Sequence, residues 1–302
     1  MKKNSKIYVI LLNYNGSEDT IECVKSIVKN EKKIEYEIVV VDNKSTDDSV
    51  SKLRQLSNIT FIESNENGGF AKGNNIGMEY AIKQGAEYIL LLNNDTVIEK
   101  NAIAILKDCL DKHKDVGIIG SRIMYFENKN LINYCGGKLN WLKATTIHES
   151  YKKEYIQQKE NFKYTEFITG CCMLIRKEVI QKIGYLPEEY FMYYEDTDYC
   201  MKAQENGFKL AVCTDSVIYH KVSVSSGGEN SPFSIKWGNR NRLIFMNKYK
   251  KYTKGMITKL VYYATRYMLY IKYILKKESK KAKAIIEGME AGKKYIKERK
   301  NG

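Results

Sequence analysis

Residues 88–96 read Tyr-Ile-Leu-Leu-Leu-Asn-Asn-Asp-Thr. An uninterrupted apolar run of strand length suits a strand buried on both faces of a sheet, and this one breaks abruptly into Asn93, Asn94 and Asp95 at its carboxyl end. Open α/β sheets bind ligands at that edge. A carboxylate delivered there suits a hard cation carrying phosphate oxygens, because Mg²⁺ and Mn²⁺ prefer oxygen ligands. Asp95 is therefore the first candidate metal ligand. The same three residues would also serve as a turn capping the next helix.

The pattern recurs on the amino-terminal side. Residues 6–12 form a buried strand, followed by the turn Asn13-Tyr14-Asn15-Gly16 and a helix that opens at Ser17 and runs to about residue 30. A strand over 37–41 ends in Asp42-Asn43-Lys44-Ser45-Thr46-Asp47. Two strands joined by one helix make a right-handed parallel β-α-β unit. Asp42 then lies at a strand end like Asp95, where it can accept hydrogen bonds from a base or a ribose; Ser45 or Thr46 is better placed to cap the following helix. A third strand near 59–62 leads into Asn67-Gly68-Gly69-Phe70-Ala71-Lys72. Glycines opening a helix let backbone N–H groups approach an anion, and Lys72 adds positive charge. The loop is neither a Walker loop nor Gly-x-Gly-x-x-Gly, so it points to a nucleotide without ATPase or dinucleotide chemistry. A helix to about residue 84, a helix over 99–113 and a strand over 116–120 complete this half.

Periodicity weakens from 121 to about 164, which reads as an excursion from the sheet that could lie over the site as a lid. A strand over 167–176 begins Phe-Ile-Thr-Gly, where Gly170, next to Thr169, would let a sugar approach the backbone or mark a plain bulge. Next, Tyr193-Tyr194-Glu195-Asp196-Thr197-Asp198 places three acids at the head of a helix reaching Gly207. Helix polarity accounts for one or two of them. The aromatic wall beside them provides a sugar-stacking surface and a partly desolvated base. A final strand over 216–219 ends in His220, a residue that in isolation is more often structural than a ligand.

The chain has 302 residues, 43% of them hydrophobic, enough for one large α/β domain with an appendage or for two domains. Seven cysteines without a Cys-x-x-Cys pair fit reduced thiols in a cytosolic protein. The first apolar run is too short for a signal peptide and reads as the first strand, with nothing cleaved. The net charge of +14 is uneven: residues 236–302 hold 20 Lys and Arg against 4 Asp and Glu, which leaves the rest slightly acidic. Such a tail needs an anionic partner, a membrane surface or a nucleic acid. Taken as a helix, residues 254–277 place Lys254, Lys259, Arg266, Lys272, Lys276 and Lys277 on one side. Ile257, Leu260, Ala264, Tyr267, Met268, Ile271, Ile274 and Leu275 fall on the other. That pattern suits an amphipathic helix in a membrane interface, or a helix packed on the catalytic domain; its charges exclude a membrane span.

Taken together, Asn13-Tyr14-Asn15-Gly16, Val41-Asp42-Asn43-Lys44-Ser45-Thr46-Asp47, Asn67-Gly68-Gly69-Phe70-Ala71, Asn93-Asn94-Asp95, Thr169-Gly170, Glu195-Asp196-Thr197-Asp198 and Tyr219-His220 resemble the family 2 glycosyltransferases of GT-A fold, in particular the bacterial rhamnosyltransferase-like branch that builds surface polysaccharide. The seven blocks stand in family order over roughly residues 6–245. The resemblance implies an α/β fold with a Rossmann-like, mostly parallel central sheet flanked by helices. It divides the chain into a catalytic domain over 1–245, with a nucleotide half to about 120 and an acceptor half after it, and a basic amphipathic helical tail over 246–302.

It implies an inverting transfer of rhamnose or another hexose from a nucleotide-sugar donor, dTDP-rhamnose or a UDP-hexose, to a hydroxyl of a glycan or lipid-linked acceptor. Asp196, with Glu195, matches the general base. Asn13, Asp42, Gly69, Lys72 and Asn94 match donor contacts, with Arg240 added from the basic side. Asp95 and His220 match ligands of a divalent cation, Mn²⁺ or Mg²⁺, and Thr169, Gly170 and Tyr194 the acceptor and sugar surface. Asn93 stands where many relatives carry aspartate, which removes one charge and leaves a metal-independent variant open. The expected setting is cytoplasmic and peripheral on the inner face of the cell membrane through residues 254–302, without nucleic acid and with room for a homo-oligomer. The competing readings are a nucleotide-sugar-binding protein without catalysis and, from the tail, a nucleic-acid-binding protein.

Overall fold

The computed structural model describes residues 6–156, 160–222 and 230–301. Lys2 and Lys3, part of the 121–164 excursion and the last residue of the basic tail fall outside them. The chain forms two compact units: Met1–Lys138, His148–Phe191 and Glu195–Val222 make the first, and Leu139–Ile147, Met192–Tyr194 and Ser223–Gly302 the second.

The first unit opens with β1 (Ile7–Asn13), α1 (Ser17–Asn30), β2 (Tyr36–Asp42), α2 (Ser49–Leu53), β3 (Thr60–Glu63), α3 (Gly69–Lys83) and β4 (Tyr88–Asn93). Then come β5 (Thr96–Ile98), α4 (Ala102–Lys112), β6 (Val116–Tyr125), β7 (Ile132–Tyr134), β8 (Gly137–Asn140) and β9 (Thr145–His148), which pair as a two-stranded sheet whose residues Leu139–Ile147 belong to the second unit, and β10 (Phe162–Thr165). It closes with β11 (Cys172–Arg176), α5 (Lys177–Ile183), α6 (Glu195–Glu205) and β12 (Lys209–His220).

Local chemistry accounts for most of these elements. The β1 and β4 strands are apolar and buried almost throughout, as strands covered on both faces must be. Glu18 and Asp19 open α1 and Lys29 closes it, matching the helix dipole, while Thr20, Cys23, Val24 and Ile27 bury one stripe. The start of α4 is different. Its N-cap residue Asn101 makes no side-chain cap. Instead the buried Glu31, just past α1, accepts from the Ala104 N–H at 3.0 Å. A carboxylate borrowed from another helix thus satisfies an orphan donor.

The main sheet runs β10-β12-β6-β11-β4-β1-β2-β3, with β5 on β12 and β7 on β6. Strands β3, β2, β1 and β4 are parallel. Strand β11 is antiparallel to both β4 and β6, so the sheet is mixed beyond its nucleotide half. Since β12 is parallel to β6, the carboxyl ends of β1, β2, β4 and β12 and the amino end of β11 share one edge.

Three expectations change in detail. The sheet does not stop at 120, because Ile123 and Met124 stay buried and carry β6 on to Tyr125, and β10 rejoins the sheet beside β12. The 167–176 strand begins only at Cys172. The short strand before His220 is the end of one that starts at Lys209, its register shifted by a bulge between Cys213 and Val217. Bulges of this kind re-aim the strand that follows.

The second unit carries α7 (Pro232–Lys248), α8 (Met256–Leu275) and α9 (Ser279–Asn301). In this division α7 goes with the C-terminal helices. It meets α9 closely: a side chain at Gly288 would lie 2.4 Å from the Lys236 carbonyl oxygen, so only glycine fits. Helix α8 turns Thr258, Tyr262 and Tyr273 inward. Its aliphatic side is exposed, Leu260 at 61%, Met268 at 70% and Leu275 at 78%. Among the described residues no helix is long and apolar enough to cross a membrane.

Candidate active site

In the first unit, the point where strand order reverses lies between β1 and β4, the place where a doubly wound sheet opens a crevice. A continuous chain of side-chain hydrogen bonds runs along it. Asn94 Nδ2 donates to Thr20 Oγ1 at 2.9 Å, and Thr20 Oγ1 donates to Asn13 Oδ1 at 2.8 Å. Asn13 Nδ2 donates to Asp42 Oδ2 at 2.8 Å. Asp42 accepts twice from Ser45, through its backbone N–H at 2.8 Å and its hydroxyl at 2.6 Å. Asp42 is 1% exposed. The carboxylate closes the Ser45 loop and does not cap the following helix, whose N-cap is Asp48. Thr20, which links the two strand ends, carries no sequence motif; only its spacing one turn into α1 could have drawn attention.

Asp95 follows β4, buried, and β5 carries the chain on against β12 with Thr96 opposite His220. That pairing brings Asp95 Oδ1 to 3.1 Å from His220 Nε2. The next residue, Lys221, donates its backbone N–H to the Asp95 carbonyl at 3.0 Å and reaches Asp19 and Glu22 on α1 with its ammonium. His220 Nδ1 is buried with no partner among the described residues.

The pair passes a simple test for a shared cation. Adjacent ligands on an octahedral ion with bonds of about 2.1 Å stand about 3 Å apart, which is the separation seen. Among the described residues no cluster of three or more His, Cys, Asp or Glu is arranged to hold a metal. An ion here would have two protein ligands and would draw the rest from substrate oxygens and water, as Mg²⁺ commonly does.

The acidic helix head lies on the same edge. The Asn93 N–H donates to the Cys171 carbonyl at 2.9 Å, and one residue earlier the Gly170 N–H donates to Asp196 Oδ2 at 3.0 Å. Asp196 Oδ1 accepts from its neighbour Thr197 N–H at 2.6 Å. Burial pushes the Asp196 carboxyl up from the usual range; the Gly170 and Thr197 donors and the charge of His148 oppose it. His148, on β9 and edge-on to Tyr134 at 5.3 Å, carries no legible motif because it falls in the weakly periodic stretch. Glu195 is buried, its Oε2 has no partner among the described residues, and burial with the adjacent Asp196 charge holds its carboxyl well above the usual range. Asp198 is an acceptor for Tyr190 OH at 2.8 Å in the core.

The remaining candidates divide. Gly69 has φ +79° and faces the Phe191 carbonyl, which accepts from the Phe70 N–H at 2.8 Å, a close approach that leaves no room for a Cβ. Phe70 in turn meets Gly170, whose added Cβ would lie 3.1 Å from the ring. Lys72 is half-buried and paired with Glu66. Thr169 is half-buried, its hydroxyl receiving the Cys171 N–H at 3.4 Å. Tyr194 and Arg240 belong to the second unit. There Tyr194 OH donates to the Ala144 carbonyl at 2.9 Å, and Arg240 lies between the rings of Trp237 and Tyr295. Asn241 holds the turn before Glu195, donating to the carbonyls of Met192 and Tyr193 at 2.8 and 2.9 Å.

Comparison with known proteins agrees with this architecture. The low-salt glycan biosynthesis hexosyltransferase Agl10 of Haloferax volcanii is 29% identical over 244 residues, 79% of this chain and 75% of the relative. The dTDP-rhamnosyl transferase RfbF of Shigella flexneri is 27% identical over 232 residues, 76% and 74% of the two chains. Among solved structures, GalNAc-T7 with UDP, GalNAc and Mn²⁺ superposes with a TM-score of 0.64 at 15% identity, covering 82% of this chain and 48% of that one. The chain thus spans about half the length of that protein and shares its GT-A fold. Residues 8–184, which carry the crevice, the Asp95 strand and the Gly170 turn, match the family model described as glycosyl transferase family 2, and the chain belongs to that family of glycosyltransferases.

Proposed function

We propose that this glycosyltransferase transfers a hexose, with rhamnose from dTDP-rhamnose as first candidate and UDP-hexoses as the alternative, to a hydroxyl of a glycan or lipid-linked acceptor in surface polysaccharide synthesis. The observation that carries the reading is the 3.1 Å approach of Asp95 to His220 at the sheet edge where the Gly170 N–H holds Asp196. The nucleotide lies along the crevice ordered by Asn13, Thr20 and Asn94. A divalent cation held by Asp95 and His220 would neutralise charge on the diphosphate. Asp196 accepts the proton of the acceptor hydroxyl as that oxygen attacks C1 from the face opposite the leaving group. One displacement, with a base and no enzymic nucleophile, inverts the anomeric carbon. The name of the Shigella relative supports the donor, and the Mn²⁺ in the GalNAc-T7 structure supports the cation.

Transfer assays with a panel of nucleotide sugars and Mn²⁺ test the reading. Asp196→Asn is expected to lower kcat by about 10²–10⁴-fold with donor binding nearly intact. Asp95→Ala should weaken donor and metal binding together in calorimetry with and without EDTA. Near-normal transfer by Asp196→Asn would remove it from the chemistry.

The same proposal places the enzyme on the cytoplasmic face of a membrane. What supports it is α8, whose outward side offers Ile257, Leu260, Met268, Ile271 and Leu275 between lysines at 254, 259, 272, 276 and 277. An apolar stripe flanked by lysines matches an anionic lipid interface. Leu260→Asp with Met268→Asp should abolish sedimentation with phosphatidylglycerol vesicles; unchanged sedimentation would exclude this helix as the anchor.

A further inference from the structure

The second unit holds two guanidinium groups that, among the described residues, no carboxylate neutralises. Arg242, on α7, is 5% exposed; its Nε donates to the Lys143 carbonyl at 2.6 Å and its guanidinium lies 5.1 Å from the centre of the Tyr262 ring. Arg266, on α8, donates from Nη1 to Asn239 Oδ1 at 3.1 Å, and its Nε is buried with no partner among the described residues. Tyr262 joins them, its hydroxyl donating to the Asn239 carbonyl at 3.0 Å. Burial, with the nearby Arg266 charge, draws Arg242 below the usual arginine range. Among the described residues neither arginine pairs with an acid, although α9 carries Glu287 and Glu290 and Glu278 stands just before it.

Arg242 is kept out of water and Arg266 stands half-buried near it, and like charges held together in this way are costly unless an anion joins them. A guanidinium presents a planar fork of donors that fits phosphate oxygens in pairs. A carboxylate would neutralise only one of the two cations, whereas a phosphate dianion or a diphosphate neutralises both. We infer that the second unit carries a phosphate-binding site between α7 and α8, built by Arg242 and Arg266 around Tyr262, that takes a phosphate ester or diphosphate. The chemistry is shared by a soluble phosphate compound and a lipid phosphate. Nothing in it depends on Asp95 or His220.

The full-length protein is titrated calorimetrically with inorganic pyrophosphate in EDTA, on an Asp95→Ala background, so that cation-dependent donor binding is silent. In a second arm it is sedimented with phosphatidylcholine vesicles with and without phosphatidic acid. Arg266→Gln is expected to weaken one or both interactions at least tenfold, and Arg266→Lys, which keeps the charge but loses the fork, by less. The arm that responds identifies the source of the phosphate. Loss of an unneutralised charge should also leave the melting temperature of the ligand-free protein unchanged or raised. Absence of binding in both arms, or binding indifferent to Arg266→Gln, overturns the site. So does a lowered melting temperature with unaltered affinity, which would make Arg266 a structural residue only.

Discussion

Replacing Gly69 with alanine separates two explanations of the loop that opens α3. Gly69 has φ +79°, and an added Cβ would lie 2.0 Å from the Phe191 oxygen and 2.7 Å from its carbonyl carbon. Ordinary C···O contact begins near 3.3 Å, so one backbone segment must retreat by about 1 Å. Left-handed backbone costs alanine about 1–2 kcal/mol, and overpacking adds about 1–3 kcal/mol. Loss of the Phe70 to Phe191 hydrogen bond adds about 0.5–1.5 kcal/mol. The total, about 3–6 kcal/mol, corresponds to a fall of roughly 6–12 °C in Tm at about 2 °C per kcal/mol for a chain of this size. Gly85 supplies the control: its φ is +83° and nothing lies within 4 Å of an added Cβ. Gly85→Ala should therefore cost only the conformational part, about 1–2 kcal/mol or roughly 2–4 °C. Thermal unfolding by circular dichroism, with donor KM and kcat on the same preparations, reads both effects. If Gly69→Ala melts no lower than Gly85→Ala and only its donor KM rises, the glycine serves nucleotide approach and the clamp on Phe191 is refuted.

Glu195→Gln tests the buried acid. A carboxyl held above its unfolded value favours the folded state below about pH 4.3, and that contribution is lost as pH rises toward the folded value. The amide mimics the protonated form, so the Tm advantage of Glu195→Gln over wild type should grow from pH 4 to pH 8; a constant difference would show that the group is not strained. Thr20→Val cuts the link between Asn94 and Asn13 and should cost about 1–3 kcal/mol, with donor KM rising more than kcat falls. An unchanged donor KM would separate this chain from the nucleotide. Asn241→Ala releases the carbonyls of Met192 and Tyr193 from a turn in which Tyr193 and Tyr194 adopt φ +72° and +75°, unusual for residues with side chains. Turnover should fall with donor affinity retained, and an unaffected kcat would show that the turn does not position the Glu195-Asp196 helix.

Much of the fold was legible because it rests on local patterns. Apolar strands that end in Asn13, Asp42 and Asn93 announce their burial and their ligand edge without any knowledge of neighbours. Helix α1 declares itself through Glu18, Asp19 and the spacing of Cys23, Val24 and Ile27. The amphipathic division of residues 254–277 was equally readable, since it depends only on the turn of a helix. The family followed from the order of the polar blocks.

Other features had no local signature. Whether Gly69 answers to a nucleotide or to Phe191, and whether Asp42 faces a ligand or Ser45, depends on contacts between segments far apart in the chain. Thr20 and His148 gain their places only when β1 meets β4 and when Asp196 comes within range of β9. The sequence by itself determined which segments become strands and helices and which polar residues stand at their ends, because period and burial tendency are properties of a few successive residues. Tertiary structure alone decided that β11 runs antiparallel, that the bulge in β12 sets His220 opposite Thr96 and so beside Asp95, and that α8 turns Tyr262 inward and leaves Leu260 and Met268 exposed. Register and facing are settled by packing between distant segments, and no short window of sequence records them.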